Sequence, residues 1–176
     1  AQGVPPSKVT LWTADADEAQ HYHEALAKDA YWSGGGVKVM IGRIGIRQQR
    51  NFIALSSPPN AYIVSLDDDI GDVLWKPHAG VRGKLLQFPA GGFEQLIFHA
   101  YGLMQQSKAF IWGLATTICQ KQWNMKIDGV STRNGEINGF LYGFINRHDP
   151  CLLPQVQDAT EDAERSLRYF AKDKVI

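Results

Sequence analysis

Cysteine is scarce in this 176-residue chain: Cys119 and Cys151 are the only two, and neither belongs to a C-x-x-C pair. A disulfide framework or a zinc–thiolate site therefore has no basis, and both thiols read as packing residues. Long apolar runs are missing too, with no stretch of the roughly 18 residues that a membrane-spanning helix needs. The opening AQGVPPSKVTLW lacks the basic-then-apolar layout of a secretory leader, so a soluble, intracellular protein with no membrane partner is expected. There is no excess of one charge, because Lys plus Arg equals Asp plus Glu at 18 each, and a polyanion would have to be held by a local patch. A Walker loop, a G-x-G-x-x-G fingerprint, a G-x-S-x-G elbow and an H-E-x-x-H helix are all absent, which removes the usual signatures of several nucleotide-binding and hydrolytic classes.

What is present is enough hydrophobic sequence, 44% of residues, for one domain with a real core. Lys8 to Thr13 (KVTLWT) is a β-prone run, and the Asp15-Ala-Asp-Glu that follows has the cap and acidic first turn of a helix over about 17–28. Three glycines, 34–36, precede the apolar run Val37 to Ile41, and Ile46, Phe52, Ile53 and Leu55 are spaced as one helical face. Ala61 to Leu66 forms a third strand. The alternation predicts an α/β fold with a mostly parallel sheet and helices on both faces, in which ligands bind beyond the carboxyl ends of the strands. Further on, Phe93 to Gln105 has helical spacing, while 109–116 and 139–146 read as aromatic strands between polar turns, a more irregular second half without a linker.

The third strand runs straight into Asp67, Asp68 and Asp69. Carboxylates are hard oxygen ligands suited to Mg²⁺ or Mn²⁺, and three adjacent like charges closing a buried strand are costly unless a cation or water relieves them. Alternation along an extended segment would put Asp67 and Asp69 on one face as metal or ribose contacts. A solvated acidic turn, helped by Asp72, accounts for the same triplet. Arg43, Arg47 and Arg50 lie in the turn and first turns of the following helix, where guanidiniums can attract phosphate or hold a carboxylate. His21 and His23, two apart, do not face each other and read as surface. His99 is assigned to a helix face.

The stretch from Gly45 to Asp69, GIRQQRNFIALSSPPNAYIVSLDDD, resembles the core signature of GT-A glycosyltransferases: an Arg-Asn pair (Arg50-Asn51) opening a helix, a short connection, a hydrophobic strand and a D-x-D motif. A narrower resemblance, carried by IGIRQQRNFI, SLDDDIGDVL, WGLATTICQKQW, VSTRNGEINGFLYGFIN and a late Glu161-Asp162, is to TET-associated glycosyltransferases, linked with modification of hydroxymethylated pyrimidines in DNA. The resemblance implies a GT-A-like, Rossmann-like single domain over 1–176, with a nucleotide-sugar half (about 8–75) and an acceptor half (about 76–176). It implies a UDP-sugar as sugar donor, Mn²⁺ or Mg²⁺ as cofactor, and DNA as acceptor. Thr13, Ala14, Asp15, Arg47, Arg50, Asp67 and Asp68 would bind the sugar donor; Asp67 and Asp69 the metal; Glu161 or Asp162 would be the general base; and Trp112, Ser131, Arg133 and Asn134 would meet the acceptor. A protein or glycan acceptor, or a non-catalytic module of the same fold, fits the same motifs.

Two points stand beside that resemblance. Acidic residues near a helix N-terminus are also favoured by its dipole, which accounts for Glu161-Asp162 without catalysis; Asp158 or Thr160 would cap that helix, and Leu167 and Phe170 would bury its other face. Many GT-A enzymes take a late histidine as a further metal ligand, whereas none follows His148 here. Trp112, Trp123, Phe140, Tyr142 and Phe144 are expected mainly in the core, with Lys121, Lys126, Arg133 and Arg147 clustered in the same half.

Overall fold

The structure is a computed structural model and describes residues 3–75, 86–114, 130–132 and 135–176. Its first half follows the expected alternation: β1 (Thr10–Thr13), α1 (Ala16–Ala27), α2 (Ala30–Ser33), β2 (Lys38–Ile41), α3 (Ile46–Ser56) and β3 (Tyr62–Leu66). Then come β4 (Leu74–Trp75), β5 (Leu86–Gln87), α4 (Gly92–Ser107), β6 (Ile111–Gly113), β7 (Leu141–Ile145) and α5 (Glu161–Asp173), with 3-10 turns at Pro6–Lys8, Pro150–Leu152 and Asp158–Thr160. None of the described helices is long and apolar enough to cross a membrane.

The fold is mixed α/β, but the sheet is not mostly parallel. β1 and β2 pair in parallel, from Thr10 opposite Lys38 to Thr13 opposite Ile41. β3 instead pairs antiparallel with β7, Tyr62 opposite Ile145 and Leu66 opposite Leu141, and β6 lies antiparallel on the other edge of β7. β4 and β5 form a separate antiparallel pair. The reason lies in β7: Leu141, Tyr142, Gly143 and Phe144 are all buried, and a strand apolar on both faces takes the middle of a sheet, so it claims one edge of β3. The other edge of β3 borders a cleft whose far wall is β1.

Local chemistry explains the elements around that cleft. Asp15 caps α1, its Oδ1 accepting the Glu18 N–H at 2.9 Å, while the Glu18 carboxylate accepts from the Ala14 N–H. This is a capping box shifted by one residue, in which two otherwise unsatisfied N–H groups find partners. α3 ends under Asn146, whose Nδ2 donates to the carbonyls of Ala54, Ser57 and Pro58 at 2.8, 3.0 and 3.1 Å. His148 Nε2 lies 2.6 Å from the same Ser57 carbonyl.

The core gathers Ala54 of α3, Ile111, Ile137, Tyr142, Phe144, Leu152 and Tyr169, with the Tyr142 and Phe144 rings stacked at 5.8 Å. Two helical faces differ from expectation. On α3 the buried seam is Arg50 and Ala54, four residues apart, while Ile46 and Leu55 are exposed. On α5 the buried stripe is Glu161, Arg165, Ser166 and Tyr169; Leu167 is 67% exposed and Phe170 is exposed as well. Both reversals have one cause: the Arg50 charge is inside, so each helix turns its polar partners inward rather than its aliphatics. Thr160 occupies the α5 cap position without a side-chain bond, and Asp158 instead accepts from the Arg47 N–H. Arg147 clamps α5 from β7's end, donating twice to Asp173 at 2.7 Å and lying over the Phe110 ring at 4.2 Å.

Candidate functional site

One cleft of about 700 Å³ runs between β1 and β3 along their length, from Lys8, Thr10 and Tyr62 at one end to Ala14, Arg43 and the acidic triplet at the carboxyl ends. Ala14, Glu18 and Tyr22 line it from the β1–α1 side, Arg43, Gly45, Gln49 and Arg50 from the β2–α3 side, and Asp67, Asp68 and Asp69 from the end of β3. The acidic triplet therefore lies at a strand end and faces the cleft, but its three side chains diverge. Asp67 Oδ1 accepts from Arg50 Nη2 at 2.7 Å; Asp68 accepts from the Tyr22 hydroxyl; Asp69 is exposed. The bond to Asp68, with burial and the Asp68 charge added, pushes the Tyr22 phenol up to about 12.

Arg50 is the hub of the site. Its side chain is 5% exposed and meets four acceptors: the carboxylates of Glu161, Asp162 (2.8 Å) and Asp67, and the Gly139 carbonyl at 2.7 Å. Glu161 is buried, and its second oxygen accepts from Arg165, which also lies 4.4 Å over the Tyr142 ring. Asp162 Oδ2 accepts the Gly139 N–H at 2.7 Å. Position 139 must be glycine for this, since a Cβ there would run into Arg50 Nη1 and Asp162 Oδ1. Three carboxylates against two guanidiniums leave one formal negative charge, which a bound cation would relieve.

The singled-out residues that the structure describes fall as follows. Thr13 is buried, its Oγ1 donating to the carbonyls of Asp15 and Met40, and it shapes the β1–α1 turn rather than lining the cleft. Asp15 is the α1 cap. Arg47 is drawn away from the cleft: its N–H and guanidinium meet Asp158, 3.2 and 3.7 Å away, and Nη1 reaches the Gln155 carbonyl. Asp158 thus fills the anion position at the start of α3, where Gly45 at φ 92° lets the carboxylate approach the backbone. Trp112 lies on β6, its Nε1 donating to the hydroxyl of Tyr62 on β3 at 2.8 Å. Ser131 is exposed, and Arg133 and Asn134 lie outside the described residues, as do Cys119, Lys121, Trp123 and Lys126.

Tyr22, Glu18 and Gln49 escaped the sequence reading. Glu18 and Tyr22 share a helix face at i and i+4, the one signal that could have paired them. Gln49 holds the Arg43 N–H and the Thr13 carbonyl at 2.5 and 3.3 Å, a contact no spacing rule foretells. Compared with known proteins, the chain matches no family model, no curated protein and no solved structure.

Proposed function

We propose that this domain is a metal-dependent, GT-A-like glycosyltransferase that moves a hexose from a UDP-sugar to the hydroxymethyl group of a pyrimidine in DNA. The observation that carries the first part is the cleft itself: a groove between β1 and β3 with room for a nucleotide sugar, and Asp67, Asp68 and Asp69 on its wall at the carboxyl end of β3. The DNA acceptor rests on the resemblance of the motifs. A neutral formal charge favours a glycan or protein acceptor instead, so both classes belong in the assay.

Carboxylates at the end of β3 are the donor type that a divalent cation of the Mg²⁺ or Mn²⁺ kind prefers, which supports this reading. Among the described residues no three ligating side chains converge, but such ions are commonly held by one or two carboxylates and complete their shell with water and phosphate oxygens. Exposed Asp69 and half-buried Asp67 would hold the ion, and the formal negative charge left by the Arg50 cluster suits it. When bound, it supplies charge neutralisation for the departing diphosphate. Arg50, sealed among carboxylates, orients Asp67 rather than touching the sugar donor. Ala14 and Tyr22 line the cleft where the nucleotide would lie.

In an inverting transfer the acceptor hydroxyl loses its proton to a carboxylate as its oxygen attacks the anomeric carbon, and the bond to the diphosphate breaks with its electron pair leaving on the phosphate oxygen. Asp162, 27% exposed, is the less buried carboxylate of the late acidic pair; Arg50 holds its Oδ1 and the Gly139 N–H its Oδ2, so a role as base requires one of these bonds to be given up. Glu161, with both oxygens bound by arginines, serves to hold Arg50. The test is incubation with UDP-hexose, Mn²⁺ and a panel of hydroxymethylated DNA, glycan and protein acceptors, read by mass. One added hexosyl group on the DNA, absent in Asp69→Ala, supports the reading; addition to another acceptor class alone overturns the DNA assignment, and no transfer to any acceptor overturns the enzyme assignment.

A further inference from the structure

We infer that Arg43 is the guanidinium that receives the diphosphate of the nucleotide in this cleft, an inference that rests on the nucleotide-sugar reading above. The segment from Gly42 to Arg50 carries three arginines, and the fold spends two of them internally. Arg47 is paired with Asp158, and Arg50 with Asp67, Glu161 and Asp162. Arg43 has no carboxylate partner among the described residues, is exposed, and lines the cleft.

Its position is built rather than incidental. The guanidinium lies 4.3 Å from the Phe52 ring centre, and Nη1 donates to the Gly42 carbonyl at 2.9 Å. Phe52 is itself packed edge-on by Trp12 of β1 at 5.7 Å. The backbone beneath is fixed at both sides, the Gly42 N–H donating to the Thr13 carbonyl at 2.8 Å and the Arg43 N–H to Gln49. A planar cation held by a ring face and one carbonyl keeps its remaining N–H groups for a fork-shaped acceptor such as phosphate.

Topology places this cation at the end where an anion is wanted. The parallel register sets Thr13 opposite Ile41, so Arg43 follows β2 at the same end as Ala14 after β1. Asp68, after β3, is tied to Tyr22 of α1 at that end as well. Lys8, which also lines the cleft and has no carboxylate partner among the described residues, precedes β1 and lies at the opposite end. One uncommitted arginine and an acidic triplet on the same cleft match a ligand of both signs, a nucleoside diphosphate with its divalent cation.

The test compares UDP, uridine and inorganic diphosphate by calorimetry on the wild type, Arg43→Ala and Arg43→Gln, each with and without Mn²⁺, after melting curves have matched the folds. Loss of one charge-assisted bond is expected to weaken UDP and diphosphate about tenfold or more and to leave uridine unchanged. Arg43→Gln keeps much of the stem over Phe52 and is expected to lose the same affinity. UDP binding undiminished in both variants overturns this role for Arg43 while leaving the nucleotide-sugar reading in place. Equal losses for UDP and uridine also overturn it, since the effect would not lie at the phosphates. A wild type that binds neither UDP nor uridine overturns the nucleotide-sugar reading itself.

Discussion

Arg50 Nη2 lies 2.7 Å from Asp67 Oδ1 while Nη1 of the same guanidinium lies 2.8 Å from Asp162 Oδ1, so one side chain joins the acidic triplet to the C-terminal helix. Removing a partner from a buried ion network leaves uncompensated charge and costs about 3–5 kcal/mol. Arg50→Ala is therefore expected to lose that much stability in urea titration. Arg50→Lys, which keeps the charge but lacks the planar fork, should lose less than Arg50→Ala. A loss below about 1 kcal/mol in Arg50→Ala, the range of an exposed pair, would show that the network does not hold the fold together.

The inward face of α5 gives a paired test. Arg147→Ala removes both bonds to Asp173 and the ring contacts with Phe110 and Tyr169, and should cost about 3 kcal/mol or more. Leu167→Ser, on the exposed face, should stay within about 0.5 kcal/mol of wild type. The reverse order in chemical denaturation would mean that α5 packs through its aliphatics.

That reversal also shows where the sequence was legible. The order and extents of β1 to β3 follow from turn residues, caps and apolar runs, and the triplet's place at a strand end follows from the run Ala61 to Leu66. The burial of Arg50 and Glu161 does not, because a charge enters a core only when partners distant in sequence surround it. Arg50 and Glu161 are 111 residues apart. The antiparallel pairing of β3 with β7 was hidden for the same reason: the aromatic run at β7 marks a strand, while its partner is set by tertiary competition for an edge.

Acid should loosen the approach to α5. Partial burial raises the Glu164 carboxyl, but the N–H groups of Val156 and Gln155 and the Arg168 guanidinium outweigh it and hold the group below its usual value. A depressed carboxylate contributes stability above its unfolded pKa and loses it as pH falls through the folded one. Stability should therefore decline on acidification below about pH 4.5, and Glu164→Gln should be less stable at neutral pH with a flatter acid limb. Parallel acid limbs in the two proteins would exclude Glu164 as a contributor.

The two ends of the triplet should separate binding from folding. Exposed Asp69 makes no hydrogen bond or ion pair among the described residues, so Asp69→Ala should melt within a degree or two of wild type, a change of a few tenths of a kcal/mol, yet lose the Mn²⁺-dependent part of nucleotide binding. Asp68→Ala should release Tyr22 and leave the melting temperature nearly unchanged. Retained metal dependence in Asp69→Ala, measured by calorimetry, would remove Asp69 from the metal site.

Binding of a nucleotide sugar together with a divalent ion in the cleft between β1 and β3, as proposed, is open to direct measurement. The most direct measurement is thermal unfolding of the wild type against UDP-, GDP- and CMP-sugars with and without Mn²⁺. A ligand at about 100 times its dissociation constant stabilises the folded state by about 2.7 kcal/mol, enough to raise the melting temperature by several degrees. We predict a shift of that size for a UDP-sugar, dependent on Mn²⁺ and lost in Asp67→Ala. An unshifted melting temperature with every nucleotide sugar would contradict it.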